Sequence, residues 1–186
     1  MEDGAIIDLY WAREERALTE TDSKYGGMCR SIAFNILQDR WDSEECVNDT
    51  WLRAWNSMPP QRPGVLSAFL SRITRNLSLD RYKAARAAKR GGGQMPLALE
   101  ELGDCVPAGN DVEDSVELRE LTRILDSFLR DLPEKEACVF LRRYWYVDST
   151  RDIAQRYEMA EGSVKSMLYR VRRKLKERLE KEGVAL

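Results

Sequence analysis

The 186-residue chain contains no histidine. That removes the commonest general base and the commonest metal-binding side chain. Its four cysteines, Cys29, Cys46, Cys105 and Cys138, include no C-x-x-C pair. A zinc site would need three or four dispersed thiolates, so no metal or other cofactor is expected. The thiols read as buried or incidental groups in a reducing compartment. Glycine (11) and proline (6) are sparse, which excludes low-complexity and fibrous classes. No apolar run approaches the roughly 20 residues a membrane-spanning helix needs. The start, Met1-Glu2-Asp3, is acidic where an export signal is basic. A cytoplasmic location without membrane insertion follows as the expectation. There is no P-loop and no nucleophile–base pair. The acids Glu44-Glu45 and Glu100-Glu101 are chain neighbours, which on a helix do not face each other across a cleft. Catalysis is not expected.

What is present is charge, strongly alternating along the chain. The net formal charge of −2 conceals −6 over residues 1–60, +7 over 61–93, −8 over 94–141 and +5 over 142–186. Two basic blocks between acidic ones suggest two separate contacts with a polyanion.

Helical periodicity dominates, without strand alternation. A first helix is expected over about 4–18. Tyr25, Met28, Cys29, Ile32, Ala33 and Ile36 form the stripe of a second. Asp42 and Glu45 make a D-x-x-E capping box that opens a third. It carries Val47, Trp51, Ala54 and Trp55 and ends before Pro59-Pro60. Trp51 and Trp55, spaced i, i+4 beside Val47, read as core rather than base-stacking platforms. A fourth helix covers about 65–88. Gly91-Gly92-Gly93 then starts an acidic stretch without helical period, read as a flexible tether over 91–111. Helices resume over 112–130, then from Pro133, placed just inside the next start, then over 149–157 and 161–181. The plan is all-α: two small helical domains, 1–90 and 112–186, joined by a flexible linker.

On the fourth helix Leu66, Phe69, Leu70, Ile73 and Leu77 share one face, while Arg72, Arg75, Lys83 and Arg86 gather opposite. From Arg62 to Arg90 the only acid is Asp80. A face of one sign favours phosphates. The last helix repeats the design, with Val164, Met167, Leu168, Val171, Leu175 and Leu179 inward and Arg170 and Arg172 flanking an outward set. Thr150 to Tyr169 fits a helix-turn-helix, with Ile153, Ala154 and Tyr157 before the turn and Val164 in its angle. This places Glu161, Ser163, Lys165, Ser166 and Tyr169 at the N-terminal half of a recognition helix. Glu158 stands where a glycine often sits; if the turn needs a left-handed residue there, glutamate costs on the order of 1 kcal/mol, and otherwise the turn adopts a variant form.

Leu132-Pro133-Glu134, Arg151-Asp152-Ile153-Ala154 and the run Glu161 to Leu175 resemble the minus-thirty-five-binding domain of extracytoplasmic-function sigma factors, in the sigma-70 family. Asp42 to Trp55 is similar to that family's polymerase-clamp-docking helix, and Phe69 to Arg81 to its minus-ten helix. The resemblance implies a factor that binds core RNA polymerase and directs promoter-specific initiation. It implies polymerase contacts, on the beta-prime clamp, at Glu45, Asn48, Asp49 and Arg53, with the beta flap as a further partner surface. It implies minus-ten DNA contacts at Arg72, Arg75, Asn76, Lys83 and Arg86. Minus-thirty-five contacts fall on Glu161, Ser163, Lys165, Ser166, Tyr169, Arg170 and Arg173. The loop Ser57 to Gly64 matches the one that captures a flipped base. The linker, with Glu100, Glu101, Asp104, Asp111, Glu113 and Asp114 at or near it, would pass through the RNA path. An anti-sigma factor is a further partner the family allows. Two alternatives stay open on the sequence: a stand-alone helix-turn-helix regulator, and a helical interaction module whose basic faces only solvate.

Overall fold

The computed structural model describes residues 1–86, 94–103 and 115–184. It divides into two compact units, Met1–Gly93 and Gln94–Leu186. Among the described residues all regular structure is helical.

The first unit consists of α1 (Asp3–Trp11), α2 (Arg16–Leu37), α3 (Arg40–Ser57) and α4 (Leu66–Arg86). The helices α2, α3 and α4 pack on one another and α1 lies on α2. Ile6, Tyr10, Ile32, Ile36, Val47, Leu66 and Leu70 are buried completely or nearly so. Each such side chain contributes about 1.5–3 kcal/mol through the surface it removes from water. Trp51 is buried and Trp55 packs against this core. Where α3 meets α4 the buried groups are small and polar. Thr50, Thr74 and Ser78 each return a hydroxyl to a carbonyl one turn back, so none is left unsatisfied. Cys29 and Cys46 are also buried here. Burial pushes the Cys29 thiol up to about 11, which keeps it protonated and unreactive.

Two details differ from the sequence expectation. The single helix expected over 4–18 is two helices, because the backbone reverses at Arg13 (φ 57°). The reversal lets Tyr10 reach Thr21 (2.9 Å between hydroxyls) and sets Arg13 over the Trp55 ring, donating to the Trp55 carbonyl at 2.8 Å. No glycine or proline marks this turn; packing imposes it. The N-cap of α3 is Asp39, whose side chain accepts from the Asp42 N–H at 2.9 Å, three residues before the expected cap.

The second unit consists of α5 (Gln94–Gly103), α6 (Ser115–Asp131), α7 (Glu134–Tyr144), α8 (Thr150–Arg156) and α9 (Glu161–Lys181). Val139, Ile153, Val164, Leu168, Val171, Leu175 and Leu179 form its core. Phe140 bridges Phe128 and Tyr144, with ring centroids 6.4 and 4.7 Å away. Pro133 is the N-cap of α7 rather than its first residue.

The tether expected over 91–111 is corrected here: residues 94–103 form α5, which packs on α7 with Ala98 buried. So short a helix is marginal alone and depends on what it packs against. The rest of that segment, 91–93 and 104–111, lies outside the described residues.

Candidate nucleic-acid and docking interfaces

On α3 the apolar residues Cys46, Val47, Trp51 and Ala54 turn inward. Glu45, Asn48 and Arg53 are exposed and Asp49 is half-buried, so the four docking candidates lie on the outward side. Arg81 of α4 reaches across to two of them. Its guanidinium donates to Glu45 Oε2 and to Asp49 Oδ2, each at 2.7 Å. Bonding to Glu45, then to Asp49, raises the already high Arg81 pKa further. The carboxylates are thereby oriented rather than free to rotate. Trp41 and Leu52, exposed to 87% and 59%, extend the Glu45–Asn48 stripe at i, i+4, i+7, i+11. Sequence reasoning missed both, although this spacing could have revealed them. Large apolar side chains left in water on a polar stripe are the groups that anchor interfaces.

On α4, Leu66, Phe69, Leu70 and Leu77 are buried, and Arg72, Asn76 and Lys83 are exposed. Arg75 departs from the expected open face. It is half-buried, and burial disfavours its charged form. Arg86 closes α4, but its side chain lies outside the described residues. In the adjoining loop Arg62 is not solely a solvent-facing cation. It pairs with Asp8 at 2.5 Å and sits over the Trp11 ring.

The helix-turn-helix is built as expected. Ser149 caps α8 by accepting from the Asp152 N–H at 3.1 Å. Ile153 and Ala154 bury against the side of α9 that carries Val164 and Leu168. Glu158 takes φ 50°, so the turn does use the left-handed conformation and a glutamate bears it. Glu161, Ser163, Lys165, Ser166, Tyr169, Arg170 and Arg173 are all exposed along α9. Some are provisionally paired: Glu161 accepts from Thr150 at 2.8 Å and lies 2.8 Å from Lys165, and Arg173 lies 3.4 Å from Glu177. Such exposed pairs hold weakly and exchange readily for a phosphate.

A third cluster lies beside this face. Arg143, 2% exposed, donates to both carboxylate oxygens of Glu101, at 3.1 and 2.7 Å. Tyr144 Oη donates to the same carboxylate at 3.0 Å and accepts from Arg172 at 2.7 Å. Burial opposes ionisation of Glu101, but Arg143, Tyr144 and Arg172 outweigh it and hold the carboxyl below its ordinary range. Neither Arg143 nor Glu101 could be assigned a partner from sequence, because they stand 42 residues apart.

No described helix is long and apolar enough to cross a membrane, and no described group of His, Cys, Asp and Glu could hold a metal ion.

Comparison with known proteins adds the following. The model of sigma-70 region 2 matches residues 23–88, and that of sigma-70 region 4 matches residues 122–175. The chain is 26% identical to an RNA polymerase sigma-E factor of Streptomyces avermitilis, over 97% of its own length and 89% of that protein's. It is 30% identical to the ECF RNA polymerase sigma factor SigE of Mycolicibacterium smegmatis, covering 82% of this chain and 57% of that one. With the ECF RNA polymerase sigma factor SigL of Mycobacterium tuberculosis the identity is 28%, over 82% of each.

Proposed function

The chain belongs to the sigma-70 family, as an RNA polymerase sigma factor of the extracytoplasmic-function type that directs promoter-specific initiation, and on that premise we propose how its residues divide the work. The outward side of α3 docks on the beta-prime clamp of core polymerase through Glu45, Asn48, Asp49 and Arg53. Trp41 and Leu52 supply the apolar contact that these polar groups orient. Arg72, Arg75, Asn76, Lys83 and Arg86 of α4, with the loop Ser57 to Gly64, receive the minus-ten element as it opens. A cationic helix beside a loop suits single-stranded DNA, whose backbone is held electrostatically while an unstacked base is captured.

The second unit reads the minus-thirty-five duplex. Lys165, Arg170 and Arg173 meet phosphates or guanine edges, and Glu161, Ser163, Ser166 and Tyr169 lie where α9 enters the major groove. The beta flap is the polymerase surface assigned to this unit. The chain performs no bond chemistry of its own; the polymerase does. It works in the cytoplasm, takes no cofactor, and its exposed docking side could equally be covered by an anti-sigma factor. Of the acids assigned to the RNA path, Glu101 is engaged with Arg143, and Asp104, Asp111, Glu113 and Asp114 lie outside the described residues.

What supports this division most is that α4 and α9 each expose cations opposite their own buried core, in one chain. Run-off transcription with core polymerase on genomic fragments tests it. Discrete transcripts dependent on the chain are expected, and Asn48→Ala or Asp49→Ala should weaken core binding about tenfold. Undiminished core affinity in both variants removes the docking assignment.

A further inference from the structure

The Arg143–Arg172–Tyr144 niche is built to hold an anion. Arg143 offers two N–H groups to one carboxylate from an almost fully buried position, the bidentate geometry that carboxylates and phosphates share. Arg172 adds a second cation 3.7 Å from that carboxylate, and Tyr144 a hydroxyl. The occupant is Glu101, carried by α5. The niche opens on a cleft of about 520 Å³ whose lining includes Leu97 of α5, Thr150 and Arg151 at the start of α8, and Glu161 and Lys165 of α9. The acidic helix therefore borders the edge of the surface assigned above to duplex DNA.

We propose that α5 is an intramolecular competitor of that duplex, with Glu101 standing in the niche that a DNA backbone phosphate takes when the helix lifts away. This rests on the reading that the second unit binds the minus-thirty-five duplex. It gives Arg143 and Arg172 a part in DNA binding that their burial hides. It also gives α5 two alternative settings, docked on the second unit or released. Binding of duplex and docking of α5 are then reciprocal: whatever favours one disfavours the other.

The test uses the full chain and a short mixed-sequence DNA duplex, since the contact concerned is with backbone. Hydrogen exchange of amides 97–102 is read with and without duplex; loss of their protection on adding duplex is expected. In parallel, Glu101→Gln, which keeps the shape and removes the charge, should tighten duplex binding about two- to tenfold. It should steepen the salt dependence by about one phosphate contact. Ala98→Gln, which crowds the buried side of α5 without adding charge, should act in the same direction. Unchanged protection of α5, or weaker binding by either variant while α8 and α9 keep their protection, overturns the proposal and makes α5 a brace. Should a variant lose protection in α8 and α9, the wild-type exchange result decides alone. If single-stranded RNA releases α5 and duplex DNA does not, the niche serves RNA and the proposal falls. If the wild-type chain binds no duplex at all, the assignment of the second unit falls first and this inference with it.

Discussion

Glu158 holds a left-handed backbone angle, φ 50°, in the turn between α8 and α9. A side chain with a Cβ atom is disfavoured there by about 1–2 kcal/mol, while glycine is not. Part of that advantage is lost because glycine has more freedom to surrender on folding. Glu158→Gly should therefore stabilise the protein by about 1 kcal/mol, read as a higher midpoint in urea denaturation; a lower midpoint would show that the angle costs nothing. This residue was legible in the sequence because the helix-turn-helix spacing fixes which position turns. Val147 was not. It is fully buried with φ 59°, a conformation that a β-branched residue rarely takes. Its neighbour Asp148 is anchored on both sides, its carboxylate accepting from Arg142 and its carbonyl from Arg143. No turn motif in the sequence announces such an angle; bonds to Asp148 from side chains five and six residues earlier help to hold it.

Among the elements, α3 and α5 show where local signals suffice and where they fail. The D-x-x-E pattern pointed to Asp42 as the cap of α3, whereas the structure places the cap at Asp39. Because the Asp39 side chain makes the cap bond, Asp39→Ala should cost about 1 kcal/mol. Asp42→Ala removes only a favourable charge in the first turn, worth about 0.5 kcal/mol. Equal losses in thermal unfolding would refute the assignment. For α5 the prediction concerns pH. The folded-state pKa of Glu101 is depressed below its ordinary value of 4.5, so its contribution to stability is present above that value. It is lost as pH falls through the depressed pKa. The wild-type chain should be more stable than Glu101→Gln at neutral pH, and the difference should close below about pH 4.5. A gap that persists into stronger acid would mean Glu101 acts through packing rather than charge.

At the scale of the whole molecule, the division of work proposed above has two cationic surfaces addressing one promoter. If α4 and α9 act on separate stretches of DNA, their contributions add, because distant sites without shared partners are energetically independent. In promoter binding by the reconstituted holoenzyme, Arg72→Ala and Arg173→Ala should each weaken affinity and reduce the salt dependence by about one charge. The double variant should lose the product of the two factors. A double variant no worse than either single one would show that both residues serve a single contact.

The sequence by itself determined the all-α class, the inward and outward faces of α3, α4 and α9, the helix-turn-helix and the order of its parts. These are properties of neighbours three or four residues apart, and hydrophobic spacing records them directly. The tertiary structure alone decided the break between α1 and α2, the drawing-in of Arg75, the hold of Arg81 on Glu45 and Asp49, and the docking of α5 on Arg143. Each joins groups brought together only by folding, 36 residues apart for Arg81 and Glu45 and 42 for Arg143 and Glu101. A charge in a sequence has no preferred partner until packing excludes water from around it and places one opposite charge within reach.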